Sequence, residues 1–214
     1  MRVVYFDTET TGLPKTRESA TRGPDNWPHL VSIAWIIDDD GEKTETYHVI
    51  KPKWTIQADS TAIHGITQEY ATQHGSDVKT VMQEFISLNA DVLVAHNMDF
   101  DFNVILNAIL WDSGIPYPKI PKLVCTMEAG RNICRIPVNY SKSKFKVPKL
   151  VELYEFTFGK RPEAQLHNSL NDTRVLVEIV ESTQMFRKLI GLPEKNPVYV
   201  EDVNKTKRWK VLHL

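Results

Sequence analysis

The sequence contains very little cysteine, with only Cys125 and Cys134 among its 214 residues. Two thiols do not make the disulfide framework that holds a small secreted domain together. We therefore expect two reduced thiols in a cytoplasmic protein. A strand pattern that begins at residue 2 leaves no room ahead of it for a signal peptide, which favours the same compartment.

The sequence also lacks a long apolar run and an excess of charge of either sign. Its most apolar stretch, LVSIAWII at 30–37, is far too short to span a bilayer. The 26 basic residues nearly balance the 27 acidic residues. Any contact with a polyanion such as nucleic acid must therefore come from local patches, because the net charge does not attract one.

Hydrophobic periodicity predicts one α/β domain over residues 1–190 and a C-terminal tail, 191–214, in which the periodicity is lost. Residues 14–28, rich in proline and polar side chains, are expected to form a long loop. Three strands at the N-terminus, followed by alternating helices and strands, indicate a mixed sheet flanked by helices. The predicted strands cover 2–7, 30–38, 42–52, 91–97 and 121–125. The predicted helices cover 78–88, 100–114, 149–158 and 170–190.

Four carboxylates lie at the ends of buried predicted elements. Asp7 and Glu9 lie at the end of the first strand, where alternation places them on one face. Asp101 follows the strand at 91–97, and Asp172 opens the last helix. Strand ends are where α/β sheets place their sites, and carboxylate oxygens suit Mg²⁺ or Mn²⁺. Two like charges so close together are understandable if a cation binds between them.

Each of these features has a simpler interpretation when it is taken alone. A D-x-E sequence can be a solvated turn, an aspartate at a helix start can be a cap, and His167 can be a surface residue. A closed structural zinc site is not indicated, because cysteine is absent from the set and His167 is the one imidazole near it. The joint occurrence of the four carboxylates in this order favours a magnesium or manganese site.

Three segments resemble the exonuclease motifs of the DnaQ-like (DEDDh) 3′–5′ exonuclease family: FDTETTGL at 6–13, AHNMDFD at 95–101 and HNSLND at 167–172. Asp7 and Glu9 match the first motif, Asp101 the second, and His167 with Asp172 the third. The third motif departs from the family pattern at Ser169, where alanine is usual. The likeness covers roughly residues 1–190, without the loop at 14–28, and implies a ribonuclease H-like fold.

The resemblance also implies the chemistry of the site. Asp7 would bridge two divalent ions, Mg²⁺ or Mn²⁺, and Glu9, Asp101 and Asp172 would complete their ligands. His167 would accept a proton from the attacking water, a role that suits an imidazole near neutral pH.

Substrate contacts follow from the same resemblance. IHGIT at 63–67 is similar to a family segment that lies by the terminal nucleotide. The residues implied at that nucleotide are Thr8, Thr10, Leu13, His64 and Asn97. Two of them have an alternative interpretation, since Leu13 can pack under the following loop and Asn97 can cap the following helix.

The function implied is a 3′–5′ exonuclease that acts on single-stranded nucleic acid, with DNA favoured over RNA because TETTG resembles the first motif of many proofreading subunits. That preference is an analogy. The alternatives are an exoribonuclease that trims RNA or short oligoribonucleotides, and a catalytically silent nucleic-acid-binding module. The intact set of five motif residues argues against a silent module. A separate DNA polymerase subunit is a candidate partner.

One segment of the chain is basic and free of acidic residues, from 129 to 151. Its cations can follow a phosphate backbone while interleaved aromatic rings stack on bases, or they can belong to a solvated loop. A second basic run, KTKRWK at 205–210, is interpreted as a solvated tail. The residues of the first segment are Arg131, Arg135, Lys142, Lys144, Lys146 and Lys149, with Tyr140 and Phe145 between them.

Overall fold

The computed structural model of the protein describes residues 1–138 and 141–193, with the side chains of 141–143 left out. The tail from residue 194 onward, including the basic run at 205–210, lies outside the described residues. Tyr140 and the side chain of Lys142 do too. The hypotheses that concern them stay predictions.

A mixed five-stranded sheet with the strand order β3-β2-β1-β4-β5 forms the centre of the described part. β1 pairs antiparallel with β2 and parallel with β4, so the order of neighbours reverses at β1. This arrangement confirms the predicted mixed α/β sheet. The strands are β1 (Arg2–Thr10), β2 (Leu30–Asp39), β3 (Glu42–Val49), β4 (Val92–Ala95) and β5 (Lys122–Cys125).

The hairpin between β2 and β3 turns where the sequence predicts it. Asp40 and Gly41 both have a positive φ, of 53° and 101°, as the two central residues of a tight hairpin turn require. The N–H of Gly41 donates to Oδ1 of Asp38 at 2.8 Å. The turn fixes the register in which β3 follows β2.

Both faces of the sheet are buried under helices. The helices are α1 (Ala58–His64), α2 (Gln68–His74), α3 (Val78–Ser87), α4 (Met98–Asn107), α5 (Thr126–Cys134), α6 (Leu150–Phe158), α7 (Ser169–Ser182) and α8 (Gln184–Ile190). Val4 and Phe6 of β1 pack in the core shared with α3 and α4. Val3 and Tyr5 pack in the core shared with α6, α7 and α8. The alternation along β1 therefore directs successive side chains to opposite layers.

The predicted single helix over 170–190 is wrong, because the chain breaks at Thr183. Thr183 has extended backbone angles, with φ −115° and ψ 107°, between α7 and α8. The change of direction buries Phe186 completely and brings Arg187 to 3.5 Å from Glu181 and 2.8 Å from the carbonyl oxygen of Pro193. The apolar spacing runs through the break, which is why periodicity did not reveal it.

Residues 14–28 form the long loop that was predicted, with one 3₁₀ turn at Ala20–Arg22. The loop is fixed on α4 and the π-helical turn that follows it, Ala108–Asp112. The N–H of Ala20 donates to Oδ1 of Asn103 at 2.9 Å, and Nε1 of Trp111 donates to the carbonyl oxygen of Ala20 at 2.8 Å. The loop is thus attached to the helix that carries Asp101.

A short hairpin lies between α5 and α6. Its strands are β6 (Pro137–Val138) and β7 (Ser141–Phe145). It carries part of the basic segment, and the sequence did not predict it. Within the described residues, no helix is both long enough and apolar enough to cross a membrane.

Candidate active site

Three carboxylates meet where the end of β1 faces the start of α7. Oxygen atoms of Asp7, Glu9 and Asp172 all lie within 4.8 Å of one another. Asp7 and Glu9 continue the row of Val3 and Tyr5 towards α7, and Asp172 lies in the first turn of that helix. The strand is longer than predicted and ends at Thr10, so Glu9 is part of β1 together with Asp7. The rigid strand therefore fixes their separation.

Asp101 approaches the same place from the opposite layer of the sheet. It lies in the first turn of α4 and is only 3% exposed. Its Oδ1 accepts hydrogen bonds from the hydroxyl of Thr8 at 2.7 Å and from the N–H of Thr8 at 3.2 Å. Thr8 points towards α4, while its neighbours Asp7 and Glu9 point towards α7. Asp101 is therefore held at the margin of the three-carboxylate cluster and is not a member of it.

The electrostatics of the site favour a bound cation. Burial raises the pKa of Asp7 well above its usual range, and the charges of Asp101, Asp172 and Glu9 raise it further. Burial, followed by the charges of Asp172 and Asp101, raises the pKa of Glu9 to about 8. Such shifts mean that ionised carboxylates repel one another here without a compensating charge.

Among the described residues, one buried carboxylate oxygen of the cluster has no hydrogen-bond partner. Oδ1 of Asp172 is buried, and no described group donates to it. Burial raises the pKa of this carboxyl to about 6, even though the N–H of His167 donates to its other oxygen, Oδ2, at 3.1 Å. A buried, unpaired carboxylate oxygen next to two further carboxylates fits a divalent cation that prefers oxygen ligands.

His167 lies next to the cluster, on a turn in which its backbone has an uncommon conformation. Its side chain is exposed, and its φ of 64° is in the left-handed region, which is uncommon for residues other than glycine. α7 begins immediately after it, at the N-cap Asn168, whose side chain accepts a hydrogen bond from the N–H of Asn171 at 3.2 Å. The hydrogen bond from the N–H of His167 to Asp172 and the N-cap of α7 together fix the backbone conformation at His167.

Ser169, the departure from the family pattern, has a partner in this chain. Its Oγ lies 3.0 Å from Oγ of Ser32, and both residues are completely buried. Ser32 lies directly opposite Glu9 in the register of β1 and β2. The extra hydroxyl is therefore accommodated by a hydrogen bond and does not remain as an unsatisfied polar group.

The residues predicted to contact substrate differ in the exposure and the hydrogen bonds of their side chains. Leu13 is 83% exposed, so it does not pack under the loop. Asn97 occupies the N-cap position of α4, but its side chain makes no cap hydrogen bond. The hydroxyl of Thr10 donates to the carbonyl oxygen of Gly12 at 2.8 Å. His64 is buried, and its Nδ1 accepts a hydrogen bond from the N–H of Ile66 at 3.0 Å.

Two supporting residues were missed by the sequence analysis. One is Thr8 in its role as the donor to Asp101. The other is His96, whose imidazole joins the hydroxyl of Thr126 at 3.1 Å and the carbonyl oxygen of Pro148 at 3.0 Å. Burial lowers the pKa of His96 to about 4, so it stays neutral at physiological pH. Both residues lie inside the motifs that resemble the family, but nothing in the sequence indicated that their side chains support the site.

The structure shows that part of the basic segment is neutralised. Nζ of Lys146 lies 2.5 Å from Oε1 of Glu152, and a guanidinium nitrogen of Arg131 lies 2.9 Å from Oε2 of Glu128. Both acidic partners lie just outside the acid-free stretch. The side chains of Arg135, Lys144 and Lys149 are exposed.

A protein-family model described as RNase_T, Exonuclease, matches residues 4–180. DNA polymerase III PolC-type of Thermotoga petrophila is 26% identical over 198 residues, which are 91% of this chain and 13% of that protein. DNA polymerase III subunit epsilon of Buchnera aphidicola subsp. Schizaphis graminum is 31% identical over 110 residues, 49% of this chain and 43% of that protein. The chain therefore spans less than half the length of the relatives it matches.

Two solved structures share the fold. Exonuclease X in complex with 5′ overhanging duplex DNA aligns with a TM-score of 0.53 at 22% identity, over 85% of this chain and 92% of that one. E. coli Exonuclease I in complex with a dT13 oligonucleotide aligns with a TM-score of 0.66 at 15% identity, over 89% of this chain and 42% of that one. The predicted ribonuclease H-like arrangement of the sheet and helices is confirmed by this likeness.

Proposed function

This chain belongs to the DnaQ-like exonuclease family, since the RNase_T model matches well over half of it, and from that membership we propose that it is a metal-dependent 3′–5′ exonuclease. The reaction would hydrolyse the terminal phosphodiester bond of a nucleic acid strand and release a nucleoside monophosphate. The observation that carries the proposal is the convergence of Asp7, Glu9 and Asp172 within 4.8 Å, with Asp101 at the margin.

These four carboxylates are the groups that would hold two divalent ions, Mg²⁺ or Mn²⁺. Supporting observations are the unpaired buried oxygen of Asp172 and the raised pKa values of the set. When bound, the ions would stabilise charge on the attacking and leaving oxygens of an in-line displacement at phosphorus. The protein contributes a fixed geometry, because β1 holds Asp7 and Glu9 and the first turn of α7 holds Asp172.

We assign the proton transfer to His167. A ring nitrogen of its imidazole would accept the proton that the attacking water loses as the oxygen–phosphorus bond forms. The support for this role is the position of His167, exposed and joined through its backbone to the Oδ2 atom of Asp172. A neutral imidazole is the form that acts.

The proposed substrate is a single-stranded 3′ end, and DNA is preferred to RNA. The preference for DNA is supported by the names of the relatives, which are components of DNA polymerase III, and by the oligonucleotide bound to the similar Exonuclease I. Leu13, His64 and Asn97, with the backbone near Thr8 and Thr10, would surround the terminal nucleotide. Association with a separate DNA polymerase subunit is a further proposal that rests on the same names.

The experiment that tests the proposed function compares labelled oligonucleotides of both sugars. A 5′-labelled DNA strand should give a descending ladder with Mg²⁺ or Mn²⁺, and no products in EDTA. A 3′-labelled strand should release its label as mononucleotide from the start, and a circular strand should survive. Cleavage of the circle would indicate an endonuclease, and faster cleavage of RNA would favour the exoribonuclease alternative.

A further inference from the structure

Tyr70 is a half-exposed aromatic residue in the first turn of α2. It is 49% exposed, and its N–H donates to Oγ1 of Thr67 at 3.0 Å. Its ring contacts the ring of His74, with centroids 4.7 Å apart and planes inclined by 42°. The contact with His74 supports the ring on one side and leaves much of it open to solvent.

The chain itself connects Tyr70 to the proposed substrate pocket. Thr67 ends the segment 63–67, which includes the buried His64. Tyr70 follows within one helical turn, about 5 Å along the axis of α2. Tyr70 is therefore close in the chain to the segment assigned to the terminal nucleotide.

A second connection runs through Tyr47. Tyr47 packs against the small apolar cluster that contains Ala71, the neighbour of Tyr70. Tyr47 lies opposite Ala34 in the register of β2 and β3, and Ala34 lies opposite Asp7 in the register of β1 and β2. Tyr47 therefore links the helix that carries Tyr70 to the strand that carries Asp7.

We propose that the ring of Tyr70 stacks on an unpaired base of the substrate strand, on the 5′ side of the terminal nucleotide. This inference rests on the proposed exonuclease function. Stacking suits every base, because each has a π face, and it requires a base that is free of its complementary strand. The platform would select single strands over duplex ends with little regard to sequence.

Tyr117 offers a matched control. It is also a half-exposed tyrosine, 56% exposed, but it precedes β5. β5 runs parallel to β4 and hence to β1, so its start lies at the opposite end of the sheet from the carboxylates at the end of β1. A general effect of removing an exposed tyrosine would affect both positions equally.

The test measures the first-nucleotide excision from 5′-labelled oligothymidylate by the wild type and by Tyr70→Ala, Tyr70→Phe, Tyr70→Leu and Tyr117→Ala. Tyr70→Ala should raise KM about 5- to 100-fold, the effect of removing one base-stacking interaction, with kcat changed less than threefold. Tyr70→Phe and Tyr117→Ala should behave like the wild type, and Tyr70→Leu should resemble the alanine variant. Melting temperatures identify any variant that fails to fold, and the leucine variant then replaces alanine.

A second set of substrates locates the contact, with a single abasic residue placed second, third or fourth from the 3′ end. At one of these positions the abasic residue should raise KM for the wild type and leave the Tyr70→Ala variant unchanged. An unchanged KM for both Tyr70→Ala and Tyr70→Leu, or an equal effect of Tyr70→Ala on every abasic substrate, would overturn the inference. A wild type that degrades no strand at all would instead overturn the proposed function.

Discussion

His167 and Asp172 show how one residue pair couples acid–base chemistry to the carboxylate cluster. The backbone N–H of His167, and not its ring, is bonded to Oδ2 of Asp172. The imidazole is therefore free to meet a water molecule, while its position still follows that of a proposed metal ligand. A side chain used for catalysis and not for packing has this combination of a fixed backbone and an exposed ring.

His167→Ala should lower turnover by about 10²- to 10⁴-fold, the usual contribution of a general base. The metal-induced rise in melting temperature should be unchanged in the variant. The control is His48→Ala, since His48 contacts Trp35 and Glu84 on the other side of the sheet. A His167→Ala variant with a near-normal rate would remove this residue from the mechanism.

Asp7 is the residue at which repulsion and metal binding are most closely linked. Asp7→Asn removes one of the repelling charges, so the melting temperature without metal should stay the same or rise. Activity should be almost abolished, and the rise in melting temperature on adding Mn²⁺ should be suppressed, because the ligand is removed. Calorimetry or dye-based melting with EDTA and with a Mn²⁺ series measures both effects.

The same substitution at Asp38 provides the contrast. Asp38 is also buried, but it accepts from Nζ of Lys43 at 3.2 Å and from the N–H of Gly41. Asp38→Asn should therefore lower the melting temperature in EDTA and keep the response to Mn²⁺. If Asp7→Asn behaves in that way instead, Asp7 has a structural role and is not a metal ligand.

At the scale of elements, alternation along β1 made the pairing of Asp7 with Glu9 predictable, and the start of α7 brought Asp172 to them as expected. The position of Asp101 was not predictable in detail, because it depends on Thr8 pointing to the other layer of the sheet. The helices α1 and α2 have seven residues each, too few for a clear apolar period. The break at Thr183 was hidden because packing of Phe186, and not local propensity, decides the direction of α8.

The hairpin of β6 and β7 with its flanking helices is the element to test for nucleic acid contact. Lys144 and Lys149 are exposed there, whereas Lys146 is paired with Glu152. Replacing Lys144 and Lys149 with alanine should weaken binding to a single strand. The slope of log K against log salt concentration should flatten by up to ~0.7 for each phosphate group that the protein no longer neutralises.

The matched control for this element is the pair Lys119 and Lys188, which are also exposed lysines. Lys119 precedes β5, at the end of the sheet opposite the carboxylates, and Lys188 lies on α8. Their replacement by alanine should leave the salt slope unchanged. Equal slopes for both double variants and the wild type would identify the hairpin as a solvated element.

At the scale of the whole molecule, the fold brings four acidic groups together from both layers of the sheet. Asp7, Glu9 and Asp172 lie on the side of α7, and Asp101 arrives with α4. The repulsion among them is offset by the two apolar cores, in which residues such as Val4, Phe6 and Tyr5 are completely buried. The free energy of unfolding should consequently depend on the ionisation of these four carboxyl groups, although they contribute little to the packing of the cores.

The dependence of stability on pH follows from the shifted pKa values. The folded protein holds Glu9 protonated up to about pH 8, while the unfolded chain releases that proton near 4.5. Between these values the folded state binds more protons, so the free energy of unfolding should fall as pH rises. The imidazoles of His64 and His96 have the opposite effect on the free energy of unfolding, because burial lowers their pKa values below the unfolded value of 6.5. Their effect ends near pH 6.5, where the unfolded chain also releases these protons. The fall should therefore be clearest between about pH 6.5 and 8.

Melting temperatures in EDTA across that interval test this expectation, with Mg²⁺ or Mn²⁺ as the second condition. Divalent ions bind the ionised carboxylates of the folded state, so the metal-induced rise should grow with pH and cancel much of the fall. Glu9→Gln cannot ionise, and it should flatten the curve in EDTA over the same interval. A melting temperature in EDTA that rises from pH 6.5 to 8, and is the same for the wild type and Glu9→Gln, would show that the carboxylates do not repel one another as the geometry requires.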